Sequence, residues 1–175
     1  IPFREIPLKE DFTLDYRDYL NVSANVVIAN PNAPTGLALP LWQIEEIVKS
    51  NPDHVVIVDE AYVDFGAQSA VALLSKYDNL LVTGTFSKSR SMAGMRIGFA
   101  IGSEKMIKYL NDVKFSVNSY TMNPLTQLCG AQAVKDAAYF RQTTGRIAAT
   151  RENAKERLTA LGFMFPDAMS NFIFA

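Results

Sequence analysis

The chain has 175 residues, of which 17 are Lys or Arg and 18 are Asp or Glu, for a formal charge of −1. That balance excludes the clustered basic surplus by which proteins hold nucleic acid or an anionic membrane, and no apolar run reaches the roughly 18 residues of a membrane span. With 49% hydrophobic and 20% charged residues, the composition is that of a folded globular chain and not of a disordered one.

Taken in order, the first β-branched run is Val26-Val27-Ile28-Ala29, followed by a loop over 30–36. Pro40 then opens an amphipathic helix with Leu41, Ile44, Ile47 and Val48 at three- and four-residue spacing, which Asn51-Pro52-Asp53 breaks. Val55-Val56-Ile57-Val58 reads as a strand buried on both faces. A short helix is predicted over 69–76, a strand at Leu80-Leu81-Val82 and another over 97–101. Ser103 is the expected N-cap of a helix carrying Met106, Ile107, Leu110 and Val113. Asn123-Pro124 reads as the cap and first position of a helix with Leu125, Leu128, Ala131 and Val134 on one face. A longer charged helix is expected from near Tyr139 to Leu161, stopped by Gly162, with two short strands at 163–165 and 171–174. The alternation predicts an α/β layered domain with a mainly parallel sheet over 1–145 and the start of a smaller α+β domain over 146–175.

In open α/β sheets, ligands bind beyond the carboxyl ends of the strands. Three such ends carry unusual residues here: Asn30-Pro31-Asn32-Ala33-Pro34-Thr35-Gly36, Asp59-Glu60-Ala61-Tyr62, and Gly84-Thr85-Phe86-Ser87-Lys88 followed by Gly94-Met95-Arg96. The set suits pyridoxal phosphate. Lys88 offers the amine that captures its aldehyde, and Asp59 a carboxylate for the pyridine nitrogen. Tyr62 offers a hydroxyl for the phenolic oxygen, and Thr85, Ser87 and Arg96 offer hydroxyls and a guanidinium for the phosphate. The run ending in Asp59-Glu60 also has the form of a magnesium-holding strand of a nucleotide hydrolase. That chemistry needs a G-x-x-x-x-G-K-[ST] loop, and Lys88-Ser89 follows Ser87 instead of glycine. One histidine, His54, and one cysteine, Cys129, leave little for a histidine-rich metal site, a Ser-His-Asp triad or a disulfide framework. No metal is expected, Cys129 is expected to be buried and inert, and His54 exposed.

Asn30–Gly36 (NPNAPTG), Val58–Phe65 (VDEAYVDF) and Thr85–Phe99 (TFSKSRSMAGMRIGF) together resemble the class I/II pyridoxal-phosphate aminotransferases of fold type I. Within them, the wording is most similar to the histidinol-phosphate aminotransferases. The resemblance implies a three-layer large domain, represented by its C-terminal part, and the beginning of the small domain. It implies Lys88 as the cofactor lysine and the acid and base of the proton shift, Asp59 on the ring nitrogen, and Tyr62 on the phenolic oxygen. Ser87 and Arg96 fall on the phosphate, with Thr85 nearby. The family's asparagine before Pro-Thr-Gly is Ala33 here, which makes Asn32 a substitute candidate. The implied reaction moves an amino group from histidinol phosphate to 2-oxoglutarate in histidine biosynthesis, in a cytoplasmic homodimer whose partners are a small amino donor and a 2-oxo acid. The alternatives within the enzyme class are an aromatic aminotransferase and a phospho-amino-acid decarboxylase. With Ile1 first and an apolar run last, the chain reads as a fragment, inactive or nearly so alone, and a catalytically silent folded domain is the alternative of another class.

Overall fold

The computed structural model describes residues 2–175, and a four-stranded sheet in the order β1-β2-β3-β4 lies at its centre. Strands β1 (Val26–Ala29), β2 (Val56–Asp59) and β3 (Leu80–Thr85) are parallel, and β4 (Gly98–Gly102) runs antiparallel on β3. The register aligns Ala29, Asp59 and Thr83, so the chemistry-bearing loops after all three parallel strands leave one edge of the sheet.

Side chains alternate across a pleated strand. Val26, Ile28, Val56, Val58, Leu80 and Val82 turn to one face, where they are buried with Ile44, Ile47 and Val48 of helix α1 (Leu41–Ser50). Each such side chain removed from water contributes about 1.5–3 kcal/mol. Ala70 and Leu73 of a 3-10 turn close the same core. Asn51 ends α1 as expected: its side chain accepts from Val22 N and donates to Tyr19 O and Ile47 O, each at 2.8 Å.

The opposite face is largely open among the described residues. Val27 is 66% exposed, Ile57 half-buried and Asp59 exposed. The strand expected to be buried on both faces is therefore buried mainly on one; helix α2 (Glu104–Val117) meets the sheet at β4. Helix α3 (Pro124–Lys135) starts where Asn123 Oδ1 accepts from Thr126 N at 2.9 Å, as its sequence predicts. Its Leu125, Leu128 and Val134 stay exposed, however, and the buried positions are Thr126 and Gly130.

Helix α4 (Ala137–Ala160) runs two residues earlier than predicted and ends before Gly162, whose φ of +86° suits a glycine C′. Four further expectations change. Ser103 stands at the N-cap position of α2 as expected, but its hydroxyl donates to Asp78 O and makes no capping bond. The helix over 69–76 is a 3-10 turn, Ala70–Leu73. Residues 163–165 and 171–174 form no strand, since no ladder partner lies beside them among the described residues. Cys129 and His54 are both half-buried.

Candidate active site

Asp59 is the last residue of β2, exposed on the open face, with Oδ1 accepting from Ala61 N at 3.0 Å. Glu60 turns the other way and is 6% exposed. Its two oxygens accept from Ser69 Oγ and Ala70 N, both at 2.6 Å, the structural role its position suggests. Tyr62 then leads into a 3-10 turn, Val63–Phe65, that buries Phe65. Arg151 of α4 donates to Phe65 O at 2.9 Å and to Ser170 O at 2.8 Å, tying this turn to the C-terminal segment.

Lys88 lies just beyond β3. Its Nζ sits 5.1 Å from the centroid of the Tyr62 ring, within the range of cation–π attraction. The exposed ammonium has no ion-pair partner among the described residues. The loop begins with Thr85, whose hydroxyl donates to Ile97 O at 3.2 Å and accepts from Ser87 N at 3.0 Å. The single hydroxyl proton of Thr85 is thus already committed to the backbone and is not free for a phosphate. Ser87 is half-buried beside it. Arg96, in the left-handed region at φ +55°, donates to Ala93 O at 2.9 Å and lines an open groove of about 420 Å³ with Gly98, Ala100 and Lys114.

In the loop after β1, buried Asn30 accepts from Leu39 N at 2.7 Å. The Asn32 amide donates to Thr35 Oγ1 at 2.9 Å, so the substitute expected for the missing asparagine points into its own loop. Gly36 O accepts from Met169 N at 2.7 Å, which seats the C-terminal segment on this loop. There, Phe172 meets the Tyr62 ring edge-on at 5.1 Å between centroids. Phe172 also lines a cavity of about 550 Å³ with Asn171, Arg146, Arg151 and Ser91.

The structure therefore joins Tyr62 with Lys88 directly and sets Asp59 at the end of β2, the strand that leads into Tyr62 and lies beside β3, which leads into Lys88. It also reveals residues that sequence patterns did not single out for the site. Phe172 and Arg151 are separated from Tyr62 by most of the chain, and nothing in their spacing signals the contact.

Burial holds the Glu60 carboxyl above its ordinary value of 4.5, and the Asp64 and Asp59 charges push the same way, against the bonds from Ser69 and Ala70. The folded chain then binds this proton more tightly than the unfolded chain. Its contribution to stability is complete below pH 4.5 and is lost as pH rises through the folded value. Glu60→Gln keeps an acceptor for Ala70 N and removes the charge. Urea midpoints are expected to fall less with rising pH in this variant; an unchanged fall would assign the effect to other groups.

The family model described as "Aminotransferase class I and II" matches residues 1–175. A histidinol-phosphate aminotransferase of Brachyspira hyodysenteriae is 56% identical over 97% of this chain and 48% of its own length. The crystal structure of the histidinol-phosphate aminotransferase from Clostridium acetobutylicum superposes with a TM-score of 0.84 at 25% identity, covering 95% of this chain and 52% of that one. The Sinorhizobium meliloti enzyme of the same name, solved in complex with pyridoxal-5'-phosphate, has a TM-score of 0.82 at 23% identity over 96% and 47% of the two chains, a likeness of fold. The chain spans about half the length of the curated relatives it matches. By its match to the family along the whole sequence, this chain belongs to the class I and II aminotransferases.

Proposed function

We propose that these strand ends hold pyridoxal phosphate and serve transamination between histidinol phosphate and 2-oxoglutarate. The observation that carries the proposal is the Lys88 ammonium, without an ion-pair partner among the described residues and 5.1 Å from the Tyr62 ring centroid, beyond the same sheet edge at which Asp59 ends the neighbouring strand. The donor set fits the group by its chemistry: an amine with no ion-pair partner among the described residues for an aldehyde, a carboxylate that accepts from Ala61 N for a ring nitrogen, and the Arg96 guanidinium and the Ser87 hydroxyl for a phosphate. The name carried by relatives at 48–56% identity supports the choice of amino donor over an aromatic substrate or a decarboxylation.

When bound, the cofactor supplies an aldehyde carbon and a ring able to take up an electron pair. Asp59 holds the proton on the ring nitrogen, and the Tyr62 hydroxyl donates to the phenolic oxygen. Lys88 Nζ removes the proton from the substrate α carbon and later returns a proton as an acid. Arg96 and Ser87 bind the phosphate, while Thr85 shapes the turn between them and Asn32 stiffens the loop after β1. The proposal extends to a homodimer in the cytoplasm and to a large-domain boundary near residue 145, within α4.

Borohydride reduction of the chain equilibrated with pyridoxal phosphate, followed by peptide mapping, tests the proposal. Lys88 is expected to carry the permanent adduct well ahead of the surface lysines. Labelling spread evenly over the lysines would refute it.

A further inference from the structure

Lys88 opens a tight turn, closed by Ser91 N donating to Lys88 O at 3.1 Å. The two central residues of that turn are fastened in opposite directions. The Arg90 guanidinium stacks 4.1 Å from the Phe140 ring centroid and 5.0 Å from that of Phe86, and donates to Ala133 O. Ser89, 3% exposed, donates its hydroxyl to Asp64 Oδ2.

Asp64 stands two residues after Tyr62, and Ser89 one after Lys88. This one hydrogen bond therefore joins the segment carrying the aromatic ring to the segment carrying the amine. An ionised acceptor makes it stronger than a neutral pair. The turn that holds Asp64 is itself anchored from behind, by Arg151 on Phe65 O and by the buried Phe65 ring.

We propose that Asp64 and Ser89 are a positioning pair that fixes the separation of Lys88 from Tyr62, and with it the approach of the Lys88 amine to the cofactor aldehyde. The second half of this statement rests on the cofactor assignment above; the first half does not. The pair acts through the neighbour each one carries, Tyr62 and Lys88. A misplacement of the amine by a fraction of an ångström is felt in rate, because reacting atoms must meet in a narrow geometry.

Two readouts test the pair. In the cofactor-free chain with ¹³C-labelled lysine, the Tyr62 ring shifts the Lys88 ε-methylene resonance, which Lys88→Arg identifies. Ser89→Ala and Asp64→Ala are each expected to remove most of that shift, the double variant no more than either, and Asp64→Asn to keep it because its carbonyl still accepts. Melting temperatures measured alongside verify that each variant is folded; Asp64 is exposed, so its variants are the safer pair. The second readout is the rate at which pyridoxal phosphate becomes reducible onto Lys88, expected to fall about tenfold in Ser89→Ala and Asp64→Ala. Failure of the wild-type chain to label at Lys88 would overturn the cofactor assignment and leave the resonance shift to decide the pair. A shift unchanged in both alanine variants, or a labelling rate unchanged where the wild type does label, would overturn the pair.

Discussion

Asp59→Ala is expected to raise the dissociation constant for pyridoxal phosphate about 30-fold, ~2 kcal/mol, because a hydrogen bond to a charged group contributes about 1.5–3 kcal/mol. The carboxylate lies at the strand end with one oxygen bonded to Ala61 N and its other oxygen without a partner among the described residues. A cationic ring nitrogen placed there gains a charge-assisted bond, stronger still once the ring itself covers the carboxylate from water. Asp59→Asn keeps the shape and an acceptor but not the charge, and is expected to lose about half of that free energy, roughly fivefold in affinity. Equilibrium dialysis measures both. Unchanged affinity in Asn and Ala alike would remove Asp59 from the site. Equal losses in the two would show that charge, and not side-chain volume, governs binding.

Gly36→Ala is expected to destabilise the fold by about 3 kcal/mol, from left-handed backbone strain and overpacking together. At φ +74° the backbone occupies a region that glycine enters freely and alanine does not. A Cβ there would also stand 2.4 Å from Ala168 Cβ and 3.0 Å from Ala168 Cα, so the C-terminal segment would have to move. That segment is held by Met169 N on Gly36 O and carries Phe172 against Tyr62. The loop after β1 therefore acts on the lysine site through the chain's last residues. Urea denaturation reads the loss; a change below about 1 kcal/mol would show that the segment seats itself without Gly36.

What the sequence showed of the fold was whatever local pattern decides. The spacing of Ile44, Ile47 and Val48 located α1, Asn123-Pro124 located the start of α3, and Gly162 located the end of α4. The strand-end rule placed Asp59 and Lys88 on one edge of the sheet, because parallel strands release their loops on the same side. Patterns that depend on a distant partner were not legible. An apolar strand such as Val55–Val58 looks the same whether one face or two are covered, and only packing shows that Ile57 is half-buried and Val27, on the strand beside it, exposed. The aromatic stretch 171–174 has strand composition but no ladder partner among the described residues, so it packs by its rings, Phe172 on Tyr62 and Phe174 on Phe12. The same limit hid the side chains that hold the site. Asp64 with Ser89, Arg90 with Phe140, and Arg151 with Phe65 are joined across long stretches of chain. Thr85 and Asn32 illustrate the reverse case: a hydroxyl and an amide in the right motif prove to be bonded within their own turns.

The most direct test is a crystal structure of the borohydride-reduced adduct. The predicted result is continuous density from Lys88 Nζ to the cofactor carbon, with an Asp59 carboxylate oxygen about 2.8 Å from the pyridine nitrogen. Density joining the cofactor to another lysine, or a ring nitrogen turned away from Asp59, would contradict the account.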